Sequence, residues 1–239
     1  MAIIVFQHSD SNRPGRLGLT LRDQAFRLDV RRLDKGDPVP GDYDGVDGVI
    51  ALGGPQNVGG KEHWLQKEIE YLRGAHERAL PVVGVCLGHQ LLGAALGAEV
   101  GPMEKPESGM SPVDLTVAGQ TDTVLAGIAW RSHQFQSHGY EVKSVPPDGV
   151  LLATSARCKV QCFRAGLRTY GFQYHFEADR SMIGEIAGAE RDICARAGTN
   201  AEEISRQCDR HYESFARLGD RLCLNIATYL IPRVATMVG

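Results

Sequence analysis

The sequence predicts an α/β fold with a mostly parallel central sheet and helices on both of its faces. Short apolar strands alternate with helical segments up to Gly97, as is typical of parallel β-α-β units. After Gly97 the pattern changes to short segments separated by turn residues, which predicts a small antiparallel part. Residues 178–239 carry apolar residues at helical spacing and predict a helical extension.

Hydrophobic periodicity places the elements of the parallel part. They are a strand at residues 3–7, a helix at 19–26, strands at 27–33 and 48–52, a helix at 64–80, a strand at 82–85 and a helix that ends at Gly97. Residues 10–18 and 37–47 are rich in turn formers and predict loops.

The second part is predicted to be antiparallel or mixed. Its strands are expected at residues 113–117, 135–142, 150–153, 160–163 and 169–174. In the extension we expect one helix from residue 178 to near Gly198. A capping box, Thr199-x-x-Glu202, then begins a long helix. Its apolar stripe is expected to pack on the domain rather than bind a partner.

The organisation is predicted to be a single domain over residues 1–239. No repeat, low-complexity segment or linker interrupts the chain. A core of about residues 1–177 would carry the chemistry, followed by the helical extension of residues 178–239.

The composition excludes several classes of protein. The chain has 239 residues, 43% hydrophobic and 23% charged, with a formal net charge of −3. That charge predicts no nucleic-acid partner and no membrane-surface partner. None of the six cysteines forms a C-x-x-C pair, so we expect neither zinc nor any other metal. With no secretion signal visible, a cytoplasmic protein with reduced thiols is expected.

A cysteine stands at the corner between a buried strand and a helix. Cys86 follows the apolar strand and is flanked by Gly84 and Gly88. This G-x-nucleophile-x-G pattern is typical of a tight, strained turn that lifts a nucleophile out of a sheet. The helix N-terminus would favour the thiolate that a nucleophilic cysteine requires.

A base and an oxyanion site can also be assigned from the residues. His175 and Glu177 lie two residues apart at a strand end, on one side of the strand, so the carboxylate can orient the imidazole. Two backbone amides are candidate oxyanion donors: that of Leu87, and one from the loop Gly53-Gly54-Pro55. His8, at the end of the first strand, is predicted to lie at the surface.

Three motifs together resemble the class I, triad-type glutamine amidotransferases, including the glutaminase domain of GMP synthase. They are Gly84-Val-Cys86-Leu-Gly-His-Gln90, Gly53-Gly-Pro55 and His175-x-Glu177, in the family's order and at its typical separations. Ser137-His-Gly139 resembles a segment beside the glutamine pocket. The fold that this resemblance implies is flavodoxin-like and three-layered.

The resemblance implies a reaction and a role for each residue. Cys86 would attack the side-chain amide of glutamine and form a γ-glutamyl thioester, with His175 as base and Glu177 orienting it. The amides of Gly54 and Leu87 would form the oxyanion hole, and no cofactor would be needed. The residues expected to bind the substrate are Gly53, Gln90, Ser137, His138 and Tyr140.

Two departures from the family pattern leave alternatives open. Phe176 stands where the family commonly has proline, and Tyr140 where an acidic residue often follows the Ser-His-Gly segment. One reading is a glutaminase, acting alone or supplying a synthase subunit with ammonia. A second is a γ-glutamyl hydrolase acting on γ-glutamyl amides or peptides, which Tyr140 favours. A third, a non-catalytic binding protein, has no need of an intact Cys86, His175 and Glu177.

Overall fold

A nine-stranded mixed sheet forms the centre of the computed structural model, which describes residues 1–231. The strands are β1 (Ala2–Gln7), β2 (Leu28–Arg32), β3 (Val46–Ala51), β4 (Val82–Val85), β5 (Val100–Leu115), β6 (Arg131–Val142), β7 (Gly149–Thr154), β8 (Cys162–Ala165) and β9 (Thr169–Phe172). Their order across the sheet is β2-β1-β3-β4-β9-β8-β7-β5-β6. The pairs from β2 to β9 are parallel, and those from β9 to β6 are antiparallel.

Helices cover both faces of this sheet. They are α1 (Gly15–Asp23), α2 (Leu65–Glu77), α3 (Leu87–Ala95), α4 (Val117–Thr121), α5 (Arg180–Ala189), α6 (Arg191–Ala197) and α7 (Ala201–Asn225), with a 3-10 turn at Leu33–Lys35 and a π-helical turn at Ile226–Leu230. Because side chains alternate along a strand, Ile3 and Val5 enter the core beneath α1 and α7. Ile4 and Phe6 enter the opposite core, beneath α2 and α3. The predicted three-layer α/β class is confirmed.

The antiparallel part differs in detail from its prediction. The strand expected at residues 113–117 is the end of β5, which runs for 16 residues and pairs with β6. The short helix α4 was not predicted. Its Thr116 N-cap accepts a hydrogen bond from the amide of Gly119.

The extension is broken where one continuous helix was expected, and that expectation was wrong. Glu190, with φ −102° and ψ 45°, leaves the helical conformation and separates α5 from α6. The predicted capping box was also wrong, because Asn200 is the N-cap of α7 and accepts from the amide of Glu203 at 2.9 Å. Residues 232–239 of the predicted extension lie outside the described residues.

The apolar stripe of α7 packs on the domain, as predicted. Its buried members include Ile204, Phe215 and Leu222. Gly219 lets α7 approach the backbone of the segment after β9, where an added Cβ would lie 2.7 Å from the carbonyl oxygen of Phe176. The extension is therefore packed directly against the segment that carries His175 and Glu177. Within residues 1–231, no helix combines the length and apolarity needed to cross a membrane.

Candidate active site

Cys86 occupies a strained corner between β4 and α3. Its φ of 51° and ψ of −106° are rare for a residue with a side chain, and its amide donates to the carbonyl of Phe172 at 2.8 Å. A Cβ at Gly84 would lie 2.5 Å from the carbonyl oxygen of Gly88, and one at Gly88 would collide with the carbonyl of Ala51. The two flanking glycines are therefore required by backbone packing on both sides of the thiol.

His175 and Glu177 form a buried pair beside this corner. The imidazole Nδ1 lies 2.8 Å from Glu177 Oε1, and the two side chains are 1% and 0% exposed. Burial lowers the pKa of His175. The negative charge of Glu177 and a hydrogen bond with Cys86 outweigh that effect and hold the pKa well above its ordinary value. With Nδ1 directed at the carboxylate, the other ring nitrogen can exchange a proton with the thiol.

The loop after β3 lies against both of these groups. A Cβ at Gly53 would lie 2.6 Å from Cε1 of His175, and one at Gly54 would lie 3.1 Å from Cδ2 of Leu87. The amide of Gly88 donates to Leu52 at 3.1 Å, which ties the start of α3 to this loop. Gly53, Gly54 and Leu87 are thus brought beside Cys86 and His175, where amides could stabilise an oxyanion.

A buried His8–Glu68 pair supports the same loop, and the surface position predicted for His8 was wrong. Its Nε2 lies 3.0 Å from a Glu68 carboxylate oxygen, and its Nδ1 lies 3.0 Å and 3.2 Å from the carbonyl oxygens of Leu52 and Gly53. The ring stacks on Trp64. Burial lowers the pKa of His8, but Glu68 and the two carbonyls outweigh it and raise the pKa. A protonated His8 donates on both sides.

A signal for this pair was present in the sequence. Glu68 lies three residues after Leu65 and four before Leu72, on the apolar face of the predicted helix. A carboxylate on a core-facing helix position requires a partner. The signal indicates a buried pair, although periodicity alone could not name His8 as the partner.

Ser137 on β6 lies across the thiol. The Sγ of Cys86 is 3.6 Å from the carbonyl oxygen of Ser137, and the Ser137 hydroxyl donates to Oε2 of Glu190. Burial raises the pKa of Glu190, against opposing effects of the Ser137 hydrogen bond and of His175 and His138. Glu190 was not predicted as a site residue, since its periodic position was assigned to a continuous helix.

The other predicted substrate-binding side chains converge on the backbone of Tyr140. Gln90 Nε2 and His138 Nδ1 each lie 2.9 Å from the Tyr140 carbonyl oxygen. His138 Nε2 lies 3.2 Å from a carboxylate oxygen of Glu107, itself 2% exposed. Gln90 and His138 therefore hold β6 in place next to α3 through polar contacts.

Phe176, the residue between His175 and Glu177, belongs to the core. Its side chain is fully buried and meets the Phe172 ring edge-on, with 4.9 Å between ring centroids. The phenyl ring therefore anchors the segment while the side chains on either side of it form the buried pair.

The fold and this geometry define a class of protein, and comparison with known proteins agrees. The family model for class-I glutamine amidotransferases matches residues 19–185. The chain belongs to that family.

Several relatives are named as the glutamine-hydrolysing subunit of GMP synthase. The one from Natronomonas pharaonis is 31% identical over 179 residues, covering 73% of this chain and 88% of the relative. The one from Pyrococcus furiosus is 35% identical over 140 residues, covering 57% and 69%. A solved glutamine amido transferase from Methylobacillus flagellatus superposes with a TM-score of 0.85 at 26% identity, covering 94% of this chain and 93% of that one.

Proposed function

We propose that this protein hydrolyses the side-chain amide of glutamine through a γ-glutamyl thioester on Cys86. The observation that carries the proposal is the contact of a thiol on a strained strand–helix corner with the buried His175–Glu177 pair. A thiol needs a base, and the base needs an orienting acceptor. Membership of the glutamine amidotransferase family supports glutamine as the substrate.

The steps follow from the placement of these groups. His175 takes the thiol proton, and the sulfur attacks the amide carbon to give a tetrahedral oxyanion. The amides of Gly54 and Leu87 stabilise that oxyanion. The intermediate collapses, the C–N bond breaks, and His175 gives its proton to the departing ammonia. His175 then activates water, which hydrolyses the thioester to glutamate and restores the thiol.

Ammonia released in this way is a substrate for amidation. Relatives named as the glutamine-hydrolysing subunit of GMP synthase support a role as the ammonia-supplying partner of a separate synthase subunit. The share of this chain that aligns with them is 58% and 73%. We therefore propose the kind of partner, an ammonia-consuming synthase, and leave its product open.

The test compares the wild type with Cys86→Ala in an assay of ammonia release. We expect glutamine to be hydrolysed and the variant to lose activity by about 1,000-fold or more. The control, Cys208→Ala, removes a buried thiol on α7 and should keep activity. If γ-glutamyl peptides are hydrolysed and glutamine is not, the protein is a γ-glutamyl hydrolase. Equal ammonia release by wild type and Cys86→Ala would refute the thioester mechanism.

A further inference from the structure

The extension delivers one acidic side chain to the candidate site. Glu190 stands at the break between α5 and α6, and its carboxylate accepts the hydroxyl hydrogen bond of Ser137. Ser137 is also the residue whose carbonyl lies 3.6 Å from the sulfur of Cys86. The helix break and this contact together place a carboxylate one residue away from the thiol.

Glu190 lacks a cationic partner among the described residues. Other carboxylates of the extension are paired: Glu185 with Arg13, and Glu203 with Arg206. Within residues 1–231, no lysine or arginine forms an ion pair with Glu190, and its Oε1 makes no hydrogen bond. The neighbouring Arg191 is turned back to the carbonyl of Gly188. A half-buried carboxylate in this condition is unfavourable unless a ligand supplies the missing cation.

We propose that Glu190 is the specificity residue that accepts the α-ammonium group of the substrate. The proposal rests on the proposed hydrolysis at Cys86 and names the feature of the substrate that the site selects. A γ-glutamyl amide with a free α-ammonium places a cation on the side of the molecule away from the reacting amide. Glu190 offers Oε1 to it, while Ser137 holds Oε2 in place. A charge-assisted hydrogen bond of this kind is directional and strong.

The direct test changes the carboxylate and the substrate together. Glu190→Gln keeps the shape and removes the charge. Glutaramic acid, which is glutamine without the α-amino group, keeps the amide and removes the cation. We expect the variant to lower kcat/KM for glutamine by about 10- to 100-fold, mainly through KM, and to change that for glutaramic acid by less than about 3-fold.

A matched control comes from the same junction. Asp192→Asn removes one negative charge two residues further on, from an exposed side chain in the first turn of α6. It should leave kcat/KM for both substrates unchanged. If Glu190→Gln lowers the two substrates equally, the residue only supports Ser137 and the proposal is overturned. No loss with glutamine would overturn it as well.

A second readout separates this proposal from the proposed hydrolysis. Alkylation of Cys86 by a diazoketone analogue of glutamine requires binding but no turnover. Its counterpart without the amino group serves as the comparison. Wild type should react faster with the amino-bearing reagent, and Glu190→Gln should lose that preference. If glutamine is not hydrolysed but the preference is present, the ammonium site stands without the glutaminase. If wild type shows no preference, the ammonium site is refuted whatever its hydrolytic activity.

Discussion

Glu68 and Glu190 are two acidic side chains withdrawn from water near the site, and they are treated differently by the fold. Glu68 is fully buried and held against His8, which in turn binds the carbonyls of the Gly53-Gly54 loop. Glu190 touches a neutral hydroxyl and has no cation paired with it in residues 1–231. One carboxylate has a permanent counter-charge within the chain, while the other leaves that position open.

The difference separates scaffold from recognition. Glu68 stands on α2, beside the parallel half of the sheet, where loops and strand ends position the thiol and the imidazole. Glu190 comes from the extension and meets β6 of the antiparallel half. The parallel half thus holds the reacting groups in place, whereas the antiparallel half and the extension face the substrate. A paired acid stabilises the folded chain, and an unpaired acid stabilises a bound cation.

The largest effect is expected at a third carboxylate, Glu177, which belongs to neither class. Its Oε1 holds the imidazole of His175, so Glu177→Gln should lower kcat for ammonia release by about 100- to 10,000-fold through loss of the correct imidazole orientation. The control is Glu213→Gln, an exposed glutamate on α7. Thermal melting should show that both variants are folded. A kcat within about threefold of wild type would exclude Glu177 from the reaction.

A large effect on stability is expected at Glu68. Glu68→Gln leaves His8 without its buried counter-charge and should lower the free energy of unfolding by about 3–5 kcal/mol, which is a fall in Tm on the order of 10 °C. The matched control is Glu70→Gln, an exposed residue on the same helix. Its Tm should stay close to that of wild type.

The pH dependence of that difference has a definite sign. Because the folded-state pKa of His8 is raised, the pair contributes fully below the ordinary histidine pKa of about 6.5. Its contribution is lost as pH rises through the raised value. Melting curves of wild type and Glu68→Gln should therefore differ most near pH 6 and converge in alkali. Equal Tm values at pH 6 would contradict a charged pair.

The parallel half and the reacting groups could be predicted from the sequence, because local patterns determine them. The strand Val82–Val85 lies where its apolar run predicts it. The glycines flanking Cys86 require a tight corner before any tertiary contact is known. His175 and Glu177 share one side of a two-residue spacing, and their pairing follows from that spacing.

The extension could not be predicted to the same depth, because its features depend on contacts distant in sequence. Glu190 interrupts a periodic helical pattern at the point where its carboxylate meets Ser137, 53 residues earlier. His8 is buried because Glu68 lies 60 residues away on another element. Periodicity carries no information about which polar residue such a group meets. Both residues that sequence reasoning missed belong to long-range polar pairs.

The smallest effect is expected at Glu190, with the opposite sign to Glu68. Burial raises its pKa, so the folded state favours the protonated acid, and ionisation costs stability as pH rises from the ordinary glutamate range through the raised value. Glu190→Gln has no charge to bury. It should match wild type at pH 4 and exceed it at pH 8 by up to about 1 kcal/mol, or roughly 2–4 °C in Tm. Asp192→Asn should show no such gain. A Glu190→Gln protein that melts below wild type at pH 8 would mean that the charge already has a stabilising partner, and the contrast with Glu68 would disappear.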